Sequence, residues 1–105
     1  MNEEKKTCFV IMPISDPSGY EEGHFLKVYQ DVFSPAIEAA GYIPHRVDED
    51  SKSSLIQTKI IKNLLEAPMA ICDLSTRNPN VLFELGIRQA FDKPVVLVQE
   101  KGTER

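Results

Sequence analysis

The chain has 105 residues, of which 42% are hydrophobic and 27% charged, the composition of one globular domain with a single core. Its formal net charge of −4 comes with scattered rather than clustered basic residues, which argues against binding the phosphate backbone of DNA or RNA. No stretch approaches the roughly 20 apolar residues of a membrane span, and the N-terminal MNEEKKTC lacks an apolar signal core, so a cytoplasmic protein with no membrane partner is expected.

In chain order, Cys8 to Ile14 (CFVIMPI) is a continuous apolar run that reads as a strand, ended by Pro13 and a Ser-Asp-Pro-Ser-Gly loop. From Glu22 to Ala40, apolar residues recur at Phe25, Val28, Tyr29, Val32, Phe33, Ile37 and Ala40, which is helical spacing. Pro35 inside that span is expected to kink the helix or restart it with Ser34 as cap, and Gly41 to end it. Tyr42 to Val47 reads as a second, shorter strand, followed by the acidic loop Asp48, Glu49, Asp50. Ser53 or Ser54 caps a helix through Glu66, with Leu55, Ile56, Ile60, Ile61, Leu64 and Leu65 as its buried stripe. Pro68 to Leu74 is the third strand. Asn78 caps the next helix, with Pro79 at its first position, where a missing N–H costs nothing. That helix runs to about Phe91, and Pro94 to Gln99 (PVVLVQ) forms a fourth strand.

Strand and helix alternate four times, which predicts a single α/β domain over residues 1–105: a three-layer, flavodoxin-like parallel sheet with strand order 2-1-3-4 and helices on both faces. Its switch point lies between the first and third strands, so the loop Pro13–Tyr20 and the segment Asp73–Glu84 are expected to face each other across one crevice. Cys8 and Cys72 would be offset by about three residues, roughly 10 Å at ~3.3 Å per residue, beyond the ~7 Å a disulfide tolerates; both read as reduced, buried thiols. The fourth strand is apolar on both faces yet falls at an edge. It is expected to be covered by a further strand of the natural chain beyond Arg105, or by a second copy in a homo-oligomer.

Ligands of parallel α/β sheets bind at the carboxyl ends of the strands, which directs attention to the junction DLSTRNPNVLFELG, Asp73 to Gly86. Asp73 ends the third strand and Glu84 stands inside the helix, where a rigid element aims its carboxylate. The competing readings are an i,i+4 ion pair between Glu84 and Arg88, and a plain turn or capping role for Asp73. Asn78 reads as a helix cap, Asn80 as a ligand contact, and Gly86 as a position for close helix–sheet approach. The loop holding Ser15, Asp16, Ser18 and Gly19 meets neither the dinucleotide nor the triphosphate fingerprint. His45 with Asp48, Glu49 and Asp50 matches no metal-ligand spacing, so no metal site is expected. His24 reads as a surface residue, and no Ser-His-Asp or Cys-His nucleophile arrangement is evident.

Together the stretches FVIMPIS, YQDVFSPAIEAAGYIPHRVDED and ICDLSTRNPNVLFELGIRQAFDKPVVLV resemble the nucleoside 2-deoxyribosyltransferase-like superfamily, a group related to the TIR-type domains that cleave NAD. The likeness spans Thr7 to Val98, and its most specific piece is Asp…Asn-Pro-Asn-Val-x-Phe-Glu-Leu-Gly followed by Lys-Pro and an apolar strand. The resemblance implies that Glu84 attacks the anomeric carbon while Asp73 steers it or helps protonate the departing base. It also implies that Ser15, Gly19 and Tyr20 line the sugar or phosphate pocket. The chain departs from the transferases in carrying Asn-Pro-Asn where many have an Asp and a Gly-Thr pair, and it stops before the C-terminal segment that often completes a neighbouring site. The expected activity is therefore cleavage or transfer of an N-glycosidic bond on a nucleoside, a nucleotide or NAD, without a metal or redox cofactor. The alternatives are a non-catalytic nucleotide-binding signalling module and an oligomerising interaction domain.

Overall fold

The computed structural model describes residues 6–13, 19–46, 53–76 and 78–100, the side chains of 53–57 excepted. Four strands, β1 (Lys6–Ile11), β2 (Tyr42–His45), β3 (Met69–Asp73) and β4 (Val96–Val98), form one parallel sheet in the order β2-β1-β3-β4. This is the flavodoxin-like order expected from the alternation of elements, and β1 and β3 are the central neighbours. The register pairs Cys8 with Met69 and Ile11 with Cys72, so the two thiols are offset by three residues. Both cysteines are free and buried, and they lie on opposite faces of the sheet.

From Cys8 to Ile11 β1 is apolar without interruption because it is covered twice. Phe9 and Ile11 join Ala70 and Cys72 on one face, where α3 (Ser53–Glu66) supplies Ile60 and Leu64 and α4 (Pro79–Ala90) supplies Val81 and Leu85. Cys8, Val10 and Met12 turn to the other face and meet Phe25, Phe33 and Ile37. The α3 stripe is narrower than its sequence suggests, for Ile61 is exposed.

The helical layer on the Cys8 face does not restart at Pro35 with the Ser34 side chain as cap. It runs from α1 (His24–Val28) through a π-helical turn (Tyr29–Phe33) into α2 (Ser34–Ala39). Phe33 and Ser34 keep right-handed helical angles, no side chain caps α2, and the Ser34 N–H donates to the Tyr29 carbonyl five residues back. Proline has no N–H and its ring crowds the carbonyl of residue i−4; the wider turn just before Pro35 accommodates both demands. Gly41, at φ 91°, then ends the helix in the left-handed conformation expected of it.

At the other junction the cap forms as read. The Asn78 side-chain oxygen accepts from the N–H groups of Asn80 (2.8 Å) and Val81 (3.3 Å), Pro79 has none to satisfy, and the Leu82 N–H reaches the Asn78 carbonyl. Asn78→Ala is expected to lower stability by about 1 kcal/mol, seen as a lower urea midpoint at unchanged slope. Gly86 does not serve close helix–sheet approach: it is exposed, and a β-carbon built on it meets nothing within 4 Å. No described helix is long and apolar enough to cross a membrane.

Candidate functional site

The carboxyl ends of β1 and β3 lie side by side, and the segments leaving them set the site. β3 ends at Asp73, which is 3% exposed. Its Oδ1 accepts the Ser75 N–H at 2.9 Å, an Asx turn that bends the chain out of the sheet. Ser75, itself buried, accepts the Glu100 N–H on its hydroxyl oxygen at 2.8 Å, while the Leu74 N–H bonds the Val98 carbonyl. These bonds fasten the end of β3 to the segment that leaves β4. Asn78 and its bonds then launch α4, and Glu84 follows one and a half turns later.

Glu84 is half-buried and lies beyond the first turn of α4, where the helix dipole acts most strongly. Burial therefore decides its titration, raising the carboxyl from its ordinary 4.5 to about 7. The expected alternative, an ion pair with Arg88, does not form. The Arg88 guanidinium instead donates through Nε to the Pro94 carbonyl (3.0 Å) and through Nη1 to the Leu64 carbonyl (3.1 Å). Glu84 is left as a carboxylate without a cationic partner among the described residues.

The two acids approach the strand end from opposite sides. By strand alternation Asp73 follows Met69 and Ile71, which pack toward the α1–α2 layer, whereas α4 covers the opposite face. Cys72 lies between them: its thiol is pushed up to about 12, first by burial and then by the charges of Asp73 and Glu84. A thiol raised so far stays protonated and unreactive near neutral pH.

Across the rim, Ser15, Asp16 and Ser18 lie outside the described residues. Gly19 is exposed at φ 96°, a backbone angle that suits glycine, and it leads into Tyr20. The Tyr20 ring is partly buried, 4.9 Å from the His24 ring and 5.0 Å from that of Phe25. His24, part-exposed at the start of α1, has its Nε2 3.2 Å from a Glu100 carboxylate oxygen. Through Glu100 and Ser75, the segment after β1 is thus linked to the turn after β3, the juxtaposition that the 2-1-3-4 order predicts. Asn80 is exposed one turn before Glu84, on the same side of α4 by helical spacing.

Four residues of this rim carry no local sequence signal: His24, Ser75, Glu100 and Arg46. Arg46, just past β2, donates to the Pro13 carbonyl at 2.9 Å and lies 5.9 Å from the centre of the Tyr29 ring, tying the ends of β1 and β2 together. The N-terminus of α4 is not an open anion cradle, because Asn78 already accepts its first N–H groups. Among the described residues no group of three His, Cys, Asp or Glu side chains is placed to share a metal ion. A scan against protein-family models found no match, and a search of curated proteins found none.

Proposed function

We propose that this domain cleaves or transfers the N-glycosidic bond of a nucleoside, a nucleotide or NAD, with Glu84 as nucleophile. The observation that carries the reading is Glu84 itself: a half-buried carboxylate on the helix that leaves the carboxyl end of β3, with no cation beside it among the described residues and a pKa raised to about 7. Structural carboxylates are ordinarily paired, whereas one poised near neutrality suits chemistry at the operating pH.

Glu84 would attack the anomeric carbon through an oxocarbenium-like state as the bond to the base nitrogen breaks and the electron pair leaves with the base. The departing nitrogen takes a proton, with Asp73 as the second acid. Water, or a base nitrogen supplied by a second nucleoside, then attacks the anomeric carbon, gives up a proton to solvent and releases the Glu84 carboxylate. Tyr20, held by His24 and Phe25, and Gly19 would form the opposing wall, and Asn80 lies on the same side of α4 as Glu84. Incubation with deoxynucleosides, deoxynucleotides and NAD is expected to release free base or nicotinamide, reduced at least about a thousandfold in Glu84→Gln. Release that is unchanged in that variant overturns the assignment.

One observation favours a second reading, a nucleotide-binding module without turnover. Asp73 has one oxygen committed to the Ser75 N–H, which is a sufficient structural reason for its presence. That reading predicts saturable heat of binding in calorimetry with no product formed.

A further inference from the structure

We infer that Arg46 is a positioning residue for the rim opposite Glu84: its guanidinium fixes the point at which β1 gives way to the segment leading to Gly19 and Tyr20. That role rests on the glycosidic reading proposed above and adds to it a residue that touches no reacting atom.

β2 stops short of β1. The register pairs Phe9 with His45, and one step further sets Arg46 beside Val10. Pro13 lies three residues beyond Val10, roughly 10 Å at ~3.3 Å per residue. Backbone donors are scarce there, since neither Pro44 on β2 nor Pro13 itself has an N–H. The arginine side chain covers the distance instead. Its Nη2 donates to the Pro13 carbonyl at 2.9 Å, across 33 residues of sequence.

The ring beneath the guanidinium aims it. By strand alternation Arg46 follows Tyr42 and Pro44 toward the α1–α2 face, and its Cζ lies over the Tyr29 ring, 5.9 Å from the centre. Tyr29 opens the π-helical turn and packs against the core on that face. A flat cation that lies over a ring while its edge donates to a carbonyl uses two properties particular to arginine. Lysine offers the charge with neither the flat face nor the fork.

Placement separates this tie from one that merely stabilises the sheet. It holds β1 at its carboxyl end, beside the switch point, where ligands of parallel sheets bind. The segment between Pro13 and Tyr20 is thus held at both of its ends: at Pro13 by Arg46, and at Tyr20 by the rings of His24 and Phe25. Release of the first anchor lets this wall shift relative to Glu84. The wall would contact substrate equally in the ground and transition states, so its loosening raises KM and leaves kcat in place.

Hydrogen exchange with peptide mapping of the full chain, together with base or nicotinamide release from deoxynucleosides, deoxynucleotides and NAD, tests this. In Arg46→Ala and Arg46→Lys, exchange over residues 12–23 should quicken while that of β3 and α4 holds. KM should rise at least about tenfold, with kcat within about threefold of the parent. Guanidinium below its denaturing range should reverse both effects in Arg46→Ala, and sodium chloride at equal ionic strength should not. Arg46→Lys keeps charge and bulk, so it carries the measurement if the alanine variant does not fold. Unchanged exchange over 12–23, unchanged KM in the folded variants, or equal rescue by sodium chloride overturns the proposal. A lower urea midpoint with parental kinetics also overturns it, as the mark of a purely structural tie. Absence of release by the unmodified chain overturns the glycosidic reading instead, and exchange over 12–23 then decides by itself whether Arg46 sets this segment.

Discussion

Arg88→Ala is expected to destabilise the fold by about 3–5 kcal/mol, a large part of the roughly 5–15 kcal/mol that holds a typical domain together. Arg88 is fully buried, and its guanidinium spans three elements: it sits on α4, bonds the Leu64 carbonyl near the end of α3, and bonds the Pro94 carbonyl before β4. Leu64 is among the last four residues of α3, whose carbonyls have no partner within the helix. A cation there satisfies an orphan acceptor and opposes the negative end of the dipole. Truncation would strip both carbonyls of their donors, at about 1–3 kcal/mol each if they stay dry, and would open a cavity the length of the side chain. The side chain also carries a cost, because Nη2 is buried with no hydrogen-bond partner among the described residues and burial lowers the pKa. Arg88→Met keeps the volume and removes the buried charge, so its loss should be about half that of alanine. Urea unfolding of the three proteins at equal slope measures this order. A loss below about 1 kcal/mol for alanine, the range of surface substitutions, would contradict the role.

Arg88 also shows where sequence reading reaches its limit. An arginine four residues after a glutamate is a familiar surface pair, although its spacing from Val81 and Leu85 puts it on their buried stripe. What buries it are two carbonyls, 24 and 6 residues distant, that no local pattern announces. The sheet order was legible for the opposite reason: each strand is a short apolar run, and right-handed crossovers leave few ways to connect four of them. The Asn78-Pro79 start of α4 was legible because capping is chemistry within three residues. The π turn before Pro35 was not, since moving a hydrogen bond by one residue leaves the composition unchanged. Gly86 misled because a small residue on a helix need not mark any close approach: among the described residues nothing lies within 4 Å of where its β-carbon would stand.

The same division runs through the site. Asp73 and Glu84 could be named from the sequence, because a strand end and a helix start fix where their side chains emerge. The Tyr20–His24–Glu100–Ser75 chain could not, because Ser75 and Glu100 are 25 residues apart and meet only once β3 and β4 pair. That chain gives the rim its rigidity. Tyr20 is held by ring contacts, His24 by a carboxylate, and that carboxylate's backbone by the turn in which Asp73 takes part. On the reading proposed above, a substrate would meet Tyr20 held in place on one side and, on the other, a Glu84 carboxylate with no cationic partner among the described residues.

Stability is expected to fall as pH rises from about 4.5 to about 7, and Glu84→Gln should remove that component. Burial raises the Glu84 carboxyl from 4.5 to about 7 in the folded chain. Between those values the native state therefore binds more protons than the unfolded state, and the slope of stability with pH is negative. The neutral acid's advantage is fully present below about pH 4.5 and lost once pH passes the folded value near 7. At about 1.4 kcal/mol per unit the ceiling is about 3 kcal/mol, and partial exposure reduces it to roughly 2. Glutamine has nothing to titrate, so the variant should match the parent near pH 4 and exceed it by roughly 2 kcal/mol near pH 8. The difference between the two proteins in urea unfolding across that range cancels the titration of every other carboxyl. Catalysis should run the other way, because a nucleophilic carboxylate must be ionised: base release should climb through pH 7 while stability declines. Opposed profiles would identify one group as the source of both. A stability difference with no matching limb in the rate would leave Glu84 a buried acid and remove it from the chemistry.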